Sequence, residues 1–343
     1  MTKYTLKVVD IIKETEDTTT ICFKQPILRK IKYEAGQYLT LIFRINGRRY
    51  LRPYSFSSAP NADETLQITV KRVPNGIVSN HIHDKISIGD TIELLHPMGN
   101  FVYRDKPHIK SIYFWAAGSG ITPIMSLIKE ILLTNSSVKL NLVYGNKNHE
   151  TTIFAKQIAD LLQAHSAQFK VWYFYSQLTI AKDDITIIEG RINHQYISTI
   201  LSNTDTANSL HYICGPAGLK NSVKDELKKR GVANENLFFE DFELEKDPKD
   251  FEDIYTQNVK FKFEGSNHEL EVIKGKSILE AALDAGYELP YSCQTGTCNT
   301  CKATLIEGKI KMIGISDNMP IENKNEYLLC CAHPLTENVY LEI

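Results

Sequence analysis

Apolar and polar positions follow three different patterns along the chain. From Thr5 to about Arg104 there are short β-rich runs, LKVVDIIKE, TTTICFKQP, QYLTLIFRING, RRYLRPYSFSS, TLQITVKRV and DTIELLHPMG, parted by Gly, Pro, Asn and Asp. Alternation at this spacing predicts a small antiparallel barrel. From about Ile109, wholly apolar runs alternate with helical periodicity. SIYFWAAGSGITPIMSLIKEILL reads as a buried strand, a glycine turn and an amphipathic helix, with Thr122 as N-cap and Pro123 at the first helical position. VKLNLVYGN, AQFKVWYFYS and SLHYICGP add strands, and LKNSVKDELKKRG a helix, so a doubly wound parallel sheet follows. From about Tyr255 the pattern changes again. NVKFKFEGSNHELEVIKG predicts a hairpin, Ser277 and Glu280 form a capping box before ILEAALDAG, and Gly286 suits the helix end. A cysteine-rich loop and the strands KATLIEGKI and VYLEI complete this part. The predicted divisions are 1–106 for the barrel, 107–243 for the parallel sheet and 255–343 for the last module. Residues 244–254 link them, and the acidic run ELEKDPKDFED there reads as a solvated tether.

Composition narrows the function classes. A chain of 343 residues has room for two or three domains, and 43% apolar with 23% charged residues is ordinary for a globular protein. A net charge of −2 gives no argument for nucleic acid or an anionic membrane. No apolar run approaches the ~18 residues of a membrane span, so no membrane insertion is expected. The opening MTKYTLKVVDIIKETEDT lacks the apolar core of a secretory signal. Seven cysteines, four of them in one spaced set, suit a reducing cytoplasm better than a disulfide framework.

That set is Cys293, Cys298 and Cys301 in CQTGTCNTC, then 28 residues, then Cys330 in YLLCCAHP. C-x4-C-x2-C with a distant fourth cysteine is the plant-type ferredoxin spacing for a [2Fe–2S] cluster. Three sulfurs on one curled loop also bring backbone N–H groups to the negative cluster, and Gly296 with small threonines permits the path. A structural zinc site would show two separated C-x2-C pairs, whereas this chain has one. Unrelated buried cysteines are the remaining reading. Cys331 adjoins Cys330 and competes with it as fourth ligand. In GSGITP, Gly118 and Gly120 let the backbone approach a pyrophosphate at a helix N-terminus. The motif is not the full dinucleotide fingerprint, and alone it is equally a plain strand-to-helix turn. RPYS in a strand, and the glycine break in PNGIVSN before a helix, prove nothing separately.

Together, in the order RPYSFSS, GIVSNH, GSGITP, CGP and the cysteine set, these pieces resemble the ferredoxin–NADP reductase superfamily with a plant-type β-grasp ferredoxin fused at the C-terminus. The resemblance spans essentially the whole chain. Within the superfamily, YGNKNHETTIF, YICGPAGLK and YLLCCAHP are most similar to the reductase subunits of ring 1,2-phenylacetyl-CoA epoxidase; reductases of other oxygenases and of acyl desaturases share the layout. It implies FAD, a [2Fe–2S] cluster and NAD(P)H as electron donor, with a separate terminal oxygenase or epoxidase as acceptor. An electron-transfer subunit docked in a dehydrogenase or hybrid-cluster complex is the alternative, which the intact hydride-site motifs disfavour. By resemblance, Arg52 holds the flavin pyrophosphate, Tyr54 lies against the ring, Ser55 sits near its N5, and Pro53 belongs to the same flavin-binding stretch. Gly76, Val78 and Ser79 turn the chain under the diphosphate, with the Ser79 hydroxyl as a donor. Gly118, Gly120, Thr122 and Pro123 receive the dinucleotide; Cys214, Gly215 and Pro216 place a thiol beside the nicotinamide. Glu240 and Phe242 match the family's acidic-aromatic end near that ring, with Phe where plant enzymes have a terminal Tyr. Ser55, Cys214 and Glu240 are the implied groups around the hydride path. The ferredoxins place the last ligand after an apolar pair, here Leu328-Leu329, which selects Cys330. Ser176-Gln177 stands where selectivity for the 2′-phosphate often brings Ser-Arg, and Lys147 offers a point charge instead, so the donor stays open between NADH and NADPH.

Overall fold

A computed structural model describes residues 2–26, 30–177, 187–315, 323 and 325–343. The first strand shows the logic of the first six. In β1 (Lys3–Thr15), Leu6 and Val8 are buried while Thr5 and Lys7 between and beside them face out. β2 (Thr18–Phe23), β3 (Tyr38–Ile45), β4 (Arg48–Ser55) and β5 (Leu66–Lys71) follow, then helix α1 (Ile77–Lys85) and β6 (Thr91–Leu95). They form one sheet in the order β4-β3-β6-β1-β2-β5. Its ends meet beyond β4: Phe56 bridges Ile68 of β5, and the Ser57 N–H donates to the Gln67 carbonyl at 2.9 Å. This contact curls the sheet into a partly closed barrel. This is the expected antiparallel barrel.

The second sheet is wholly parallel among its recorded pairs, with order β10-β9-β8-β7-β11-β12. In chain order its elements are β7 (Ser111–Ala117), α2 (Ile121–Thr134), β8 (Lys139–Asn146), α3 (Ala155–Ala164), β9 (Phe169–Tyr175), β10 (Ile187–Glu189), α4 (His194–Ile200), β11 (Ser209–Cys214), α5 (Ala217–Lys229) and β12 (Leu237–Glu240). Side chains of β7 alternate between two cores: Ile112, Phe114 and Ala116 on one face, Tyr113 and Trp115 on the other. Burial on both faces explains why these strands are apolar throughout. The strand order reverses at β7, with β8 to one side and β11 to the other. Helix α2 begins earlier than Thr122: a 3₁₀ turn over Gly118–Gly120 runs straight into it, with Gly120 at the cap position. Thr122 and Pro123 lie in the first turn, and the Thr122 hydroxyl donates back to the Ser119 carbonyl at 3.0 Å. Pro is tolerated there because its N–H would have no intrahelical partner.

Two compact units are distinguished: residues up to Leu41 with Tyr54–Glu240, and Ile42–Pro53 with Asp241–Ile343. The second contains β13 (Gln257–Phe263), β14 (Ser266–Val272), α6 (Ile278–Asp284), β15 (Lys302–Glu307), β16 (Ile310–Met312), β17 (Glu326–Leu328), β18 (Ala332–Pro334) and β19 (Val339–Glu342). Its main sheet runs β14-β13-β19-β15-β17, and β16 pairs with β18. The β13–β14 hairpin turns on Glu264 and Gly265, both at positive φ (50° and 79°), which matches the twist of the strands. The Ser277–Glu280 capping box is formed in both directions. The segment Ile42–Pro53 is tied to the same unit: Arg48 pairs with Asp284 at 2.6 Å and Arg44 with Glu288 at 3.0 Å. The tether expected at 243–253 is solvent-exposed, with no buried residue, but it is anchored at its far end. It carries a 3₁₀ turn, Pro248–Phe251, and Lys311 Nζ reaches Asp253 Oδ1 at 2.7 Å and the Asp250 carbonyl at 2.8 Å. Ile254 is buried at its end. Among the described residues no helix is long and apolar enough to cross a membrane.

Candidate redox sites

Open parallel sheets bind ligands at the carboxyl ends of strands where the strand order reverses. Here that point lies between β7 and β11, and the sequence-predicted residues converge on it. Cys214 ends β11 beside Ala116 of β7, and on its other side it pairs with Glu240, the last residue of β12. Gly118–Gly120 follows β7 directly. A side chain at Gly120 would strike the Cys214 carbonyl oxygen, and a Cβ at Gly215 would stand 3.2 Å from the Ala117 nitrogen. The two turns therefore touch backbone to backbone, which only glycine allows. Helices α2 and α5 both start here. Neither has a side-chain cap or an acidic residue in its first turn, and Pro216 stands at the α5 cap. Two helix N-termini with their positive dipole ends, that of α2 led in by the Gly118–Gly120 turn, fit a dinucleotide pyrophosphate. Phe242 lies two residues past β12 and is 46% exposed.

Arg52, Pro53, Tyr54 and Ser55 occupy the last half of β4. Ser55 is buried, and the Arg52 guanidinium donates to the Leu51 carbonyl at 2.8 Å while lying 5.9 Å from the Tyr50 ring. The chain beyond Ser55 is stitched to β5, where the Thr69 hydroxyl donates to Ser57 Oγ at 2.9 Å. β5 leads within six residues to α1, capped by Gly76, again without a side-chain cap or a first-turn acid. A Cβ at Gly76 would come within 2.6 Å of Ser79 Oγ. The Ser79 hydroxyl is committed to this turn: it accepts from the Val73 N–H at 3.1 Å and donates to the Gly76 carbonyl at 3.4 Å. It holds the turn in shape, which leaves the first N–H groups of α1, Val78 included, as the donors suited to a phosphate.

The cysteine loop follows a left-handed path at Gln294 (φ 59°) and Gly296 (φ 75°). Cys293, Cys301 and Cys330 are buried and Cys298 is partly exposed. The thiols stand as two pairs. Cys298 and Cys293 are hydrogen-bonded, with Cys298 Sγ also 3.4 Å from the Cys293 N–H; Cys301 and Cys330 form the second pair, and Cys330 Sγ also stands 3.5 Å from Cys331 Sγ. Among the described residues, no group of three or more ligating side chains gathers as a single-ion site. Pairing fits a two-iron cluster, in which four thiolates serve two irons, better than one tetrahedral zinc. Hydrogen bonding, first from Cys298, outweighs burial and holds the Cys293 thiol down, while Cys298, Cys301 and Cys330 are pushed up by their neighbouring thiols and by burial.

Several residues that support these sites belong to no sequence motif. The Tyr144 hydroxyl donates to the Gly118 carbonyl at 3.1 Å and so fixes the glycine turn. Tyr291 accepts from the Leu51 N–H at 2.9 Å, and Gln294, next to Cys293, donates to the Leu51 carbonyl at 3.3 Å. These bonds join the cysteine loop to the residue before Arg52. The signal available for Tyr144 was its place on the strand beside β7; nothing in the sequence pointed to Tyr291 or Gln294, whose partner lies some 240 residues away.

Three domain families match in turn: oxidoreductase FAD-binding domain over residues 5–103, oxidoreductase NAD-binding domain over 114–225, and 2Fe-2S iron-sulfur cluster binding domain over 261–335. The chain is 30% identical to a component of the 1,2-phenylacetyl-CoA epoxidase of Escherichia coli K12, covering 99% of this chain and 98% of that protein. It is also 30% identical to the ferredoxin reductase component of 3-ketosteroid-9-alpha-monooxygenase of Rhodococcus rhodochrous, over 98% and 96%. The structure of phthalate dioxygenase reductase, described as a modular structure for electron transfer from pyridine nucleotides to [2Fe-2S], shares the fold with a TM-score of 0.68 at 23% identity, over 99% of this chain and 98% of that one. The chain belongs to the ferredoxin–NADP reductase superfamily, as an oxygenase reductase component with FAD-binding, NAD-binding and [2Fe–2S] domains in one polypeptide.

Proposed function

We propose that this chain oxidises NAD(P)H and delivers the electrons, one at a time, to a separate phenylacetyl-CoA epoxidase. The observation that carries the reading is the pairing of four thiols downstream of a nucleotide crevice: a hydride donor and a one-electron outlet in one chain. When bound, the flavin accepts a hydride's two electrons and the cluster takes them singly. The residues arrange this. Helices α2 and α5 grip the donor's pyrophosphate through Gly118, Gly120, Thr122, Pro123, Gly215 and Pro216. Cys214 and Glu240, neighbours at the ends of β11 and β12, border the nicotinamide with Phe242. Arg52 and the start of α1 at Gly76 hold the flavin diphosphate, with Pro53, Tyr54 and Ser55 along the ring. Cys293 with Cys298, and Cys301 with Cys330, take one iron each. The epoxidase is chosen over other oxygenases because the full-length match to the epoxidase component goes with the local likeness of YGNKNHETTIF, YICGPAGLK and YLLCCAHP. Cytoplasmic location follows from the same assignment and from thiols that must remain reduced.

The test is reconstitution. Purified protein, loaded with FAD and cluster, is mixed with phenylacetyl-CoA epoxidase components or with a ketosteroid or betaine monooxygenase oxygenase. NADH or NADPH consumption coupled to epoxide formation with the first alone is the expected result. Coupling only to another oxygenase, or to none of the three, would overturn the epoxidase as acceptor.

A further inference from the structure

Cys331 has no part in the pairs that fit two irons. Its side chain is fully buried, and its backbone is held at both ends: its N–H donates to the Leu328 carbonyl and its carbonyl accepts from the Ile313 N–H, both at 2.9 Å. A cysteine that only fills space would be met by carbon. Cys331 Sγ instead lies 3.5 Å from Cys330 Sγ, within sulfur hydrogen-bond reach. On its other side stands Gly296, midway along the loop between Cys293 and Cys298, where a Cβ would come within 2.9 Å of the same sulfur. One thiol thus touches both the loop that carries three cysteines and the fourth cysteine itself.

The chemistry sets the direction of the bond. Cys330 bound to iron is a thiolate without a proton, so only Cys331 can donate. A hydrogen bond onto a ligating sulfur favours the more negative state of a cluster and so its reduction. We propose that Cys331 is a tuning residue of the [2Fe–2S] centre: its S–H donates to the Cys330 sulfur and raises the reduction potential. The inference rests on Cys330 being the fourth ligand. Reduction adds one electron, supplied through the flavin.

The test is a potentiometric titration of the full-length holoprotein, followed by visible absorbance and EPR, with iron and labile sulfide measured on every variant. Cys331→Ala and Cys331→Val should keep the cluster while its reduction equilibrium constant falls threefold to tenfold, about 30 to 60 mV for a one-electron couple. Cys331→Ser retains a donor and should stay near the parent potential. Intact clusters at the parent potential in the Ala and Val variants overturn the proposal alone. Cluster loss in all three Cys331 variants overturns it as well, and Cys330→Ser then separates the cases: a cluster retained there would make Cys331 the ligand and overturn the assignment of Cys330 too.

Discussion

His211 sits in β11 with no exposure, its ring stacked 5.3 Å from Tyr113 and 6.4 Å from Trp115. The Trp115 indole N–H donates to Nδ1 at 3.3 Å, so the proton of the neutral ring belongs on Nε2, which meets Ser209 Oγ at 3.0 Å. A second proton would have to displace the indole. Burial accordingly lowers the pKa of His211 to about 3. In the unfolded chain it titrates near 6.5. The fold refuses a proton that the unfolded chain accepts, so the stabilising contribution is complete above 6.5 and is lost as pH falls toward 3, by at most about 1.4 kcal/mol per pH unit. Urea titrations from pH 7 to pH 5, read by the fluorescence of Trp115 and Trp172, should show wild type losing stability with acid more steeply than His211→Gln. His83 and His333 are also held down by burial and add the same sign, so the difference between the two proteins is the measurement. Parallel pH slopes would show that His211 titrates alike in both states.

At the scale of elements, what was legible in the sequence was local. All six barrel strands, the hairpin turn at Glu264-Gly265 and the capping box need only neighbours within a few residues to declare themselves. β10 and β12 escaped because strands of three and four residues carry no period. The start of α2 was misplaced because a 3₁₀ turn can continue into a helix without any cap residue. The linker misled for a different reason: its charges look solvated in sequence, yet Asp253 faces Lys311, 58 residues on. Phe251 moreover sets its edge on His333 of β18, centroids 5.1 Å apart and three residues past Cys330. Excising Pro248–Phe251, about 13 Å of extended chain, should therefore loosen the cluster module and lower iron per FAD. A free tether would instead leave iron content unchanged and slow only delivery to the oxygenase. Iron, sulfide and FAD analysis of the shortened protein decides between them.

At the scale of the whole molecule, the ordered motifs allowed the flavin, nucleotide and cluster modules to be told apart, and the three domain matches follow the same order without overlap. What stayed hidden was contact at long sequence range, such as Leu51 with Tyr291 and Gln294, since such pairs leave no mark in any local window. The separation of modules has a functional consequence. Cys298 is the partly exposed member of its pair and bonds to nothing upstream of Cys293 among its recorded partners. Cys298→Ser replaces one of two thiols on the first pair by a poorer iron ligand, and the cluster should not assemble. The barrel and the crevice at β7 and β11 do not include that loop, so FAD content and NAD(P)H-driven reduction of ferricyanide, which can draw electrons from the flavin, should remain near wild type. Reduction of the oxygenase should fall by more than about a hundredfold, beyond the range usual for losing a contact that merely supports a metal ligand. Iron analysis and the two assays on one preparation make the comparison. Equal loss of both activities, with FAD still bound, would mean that the cluster loop supports the hydride site itself and that the electron path is not linear.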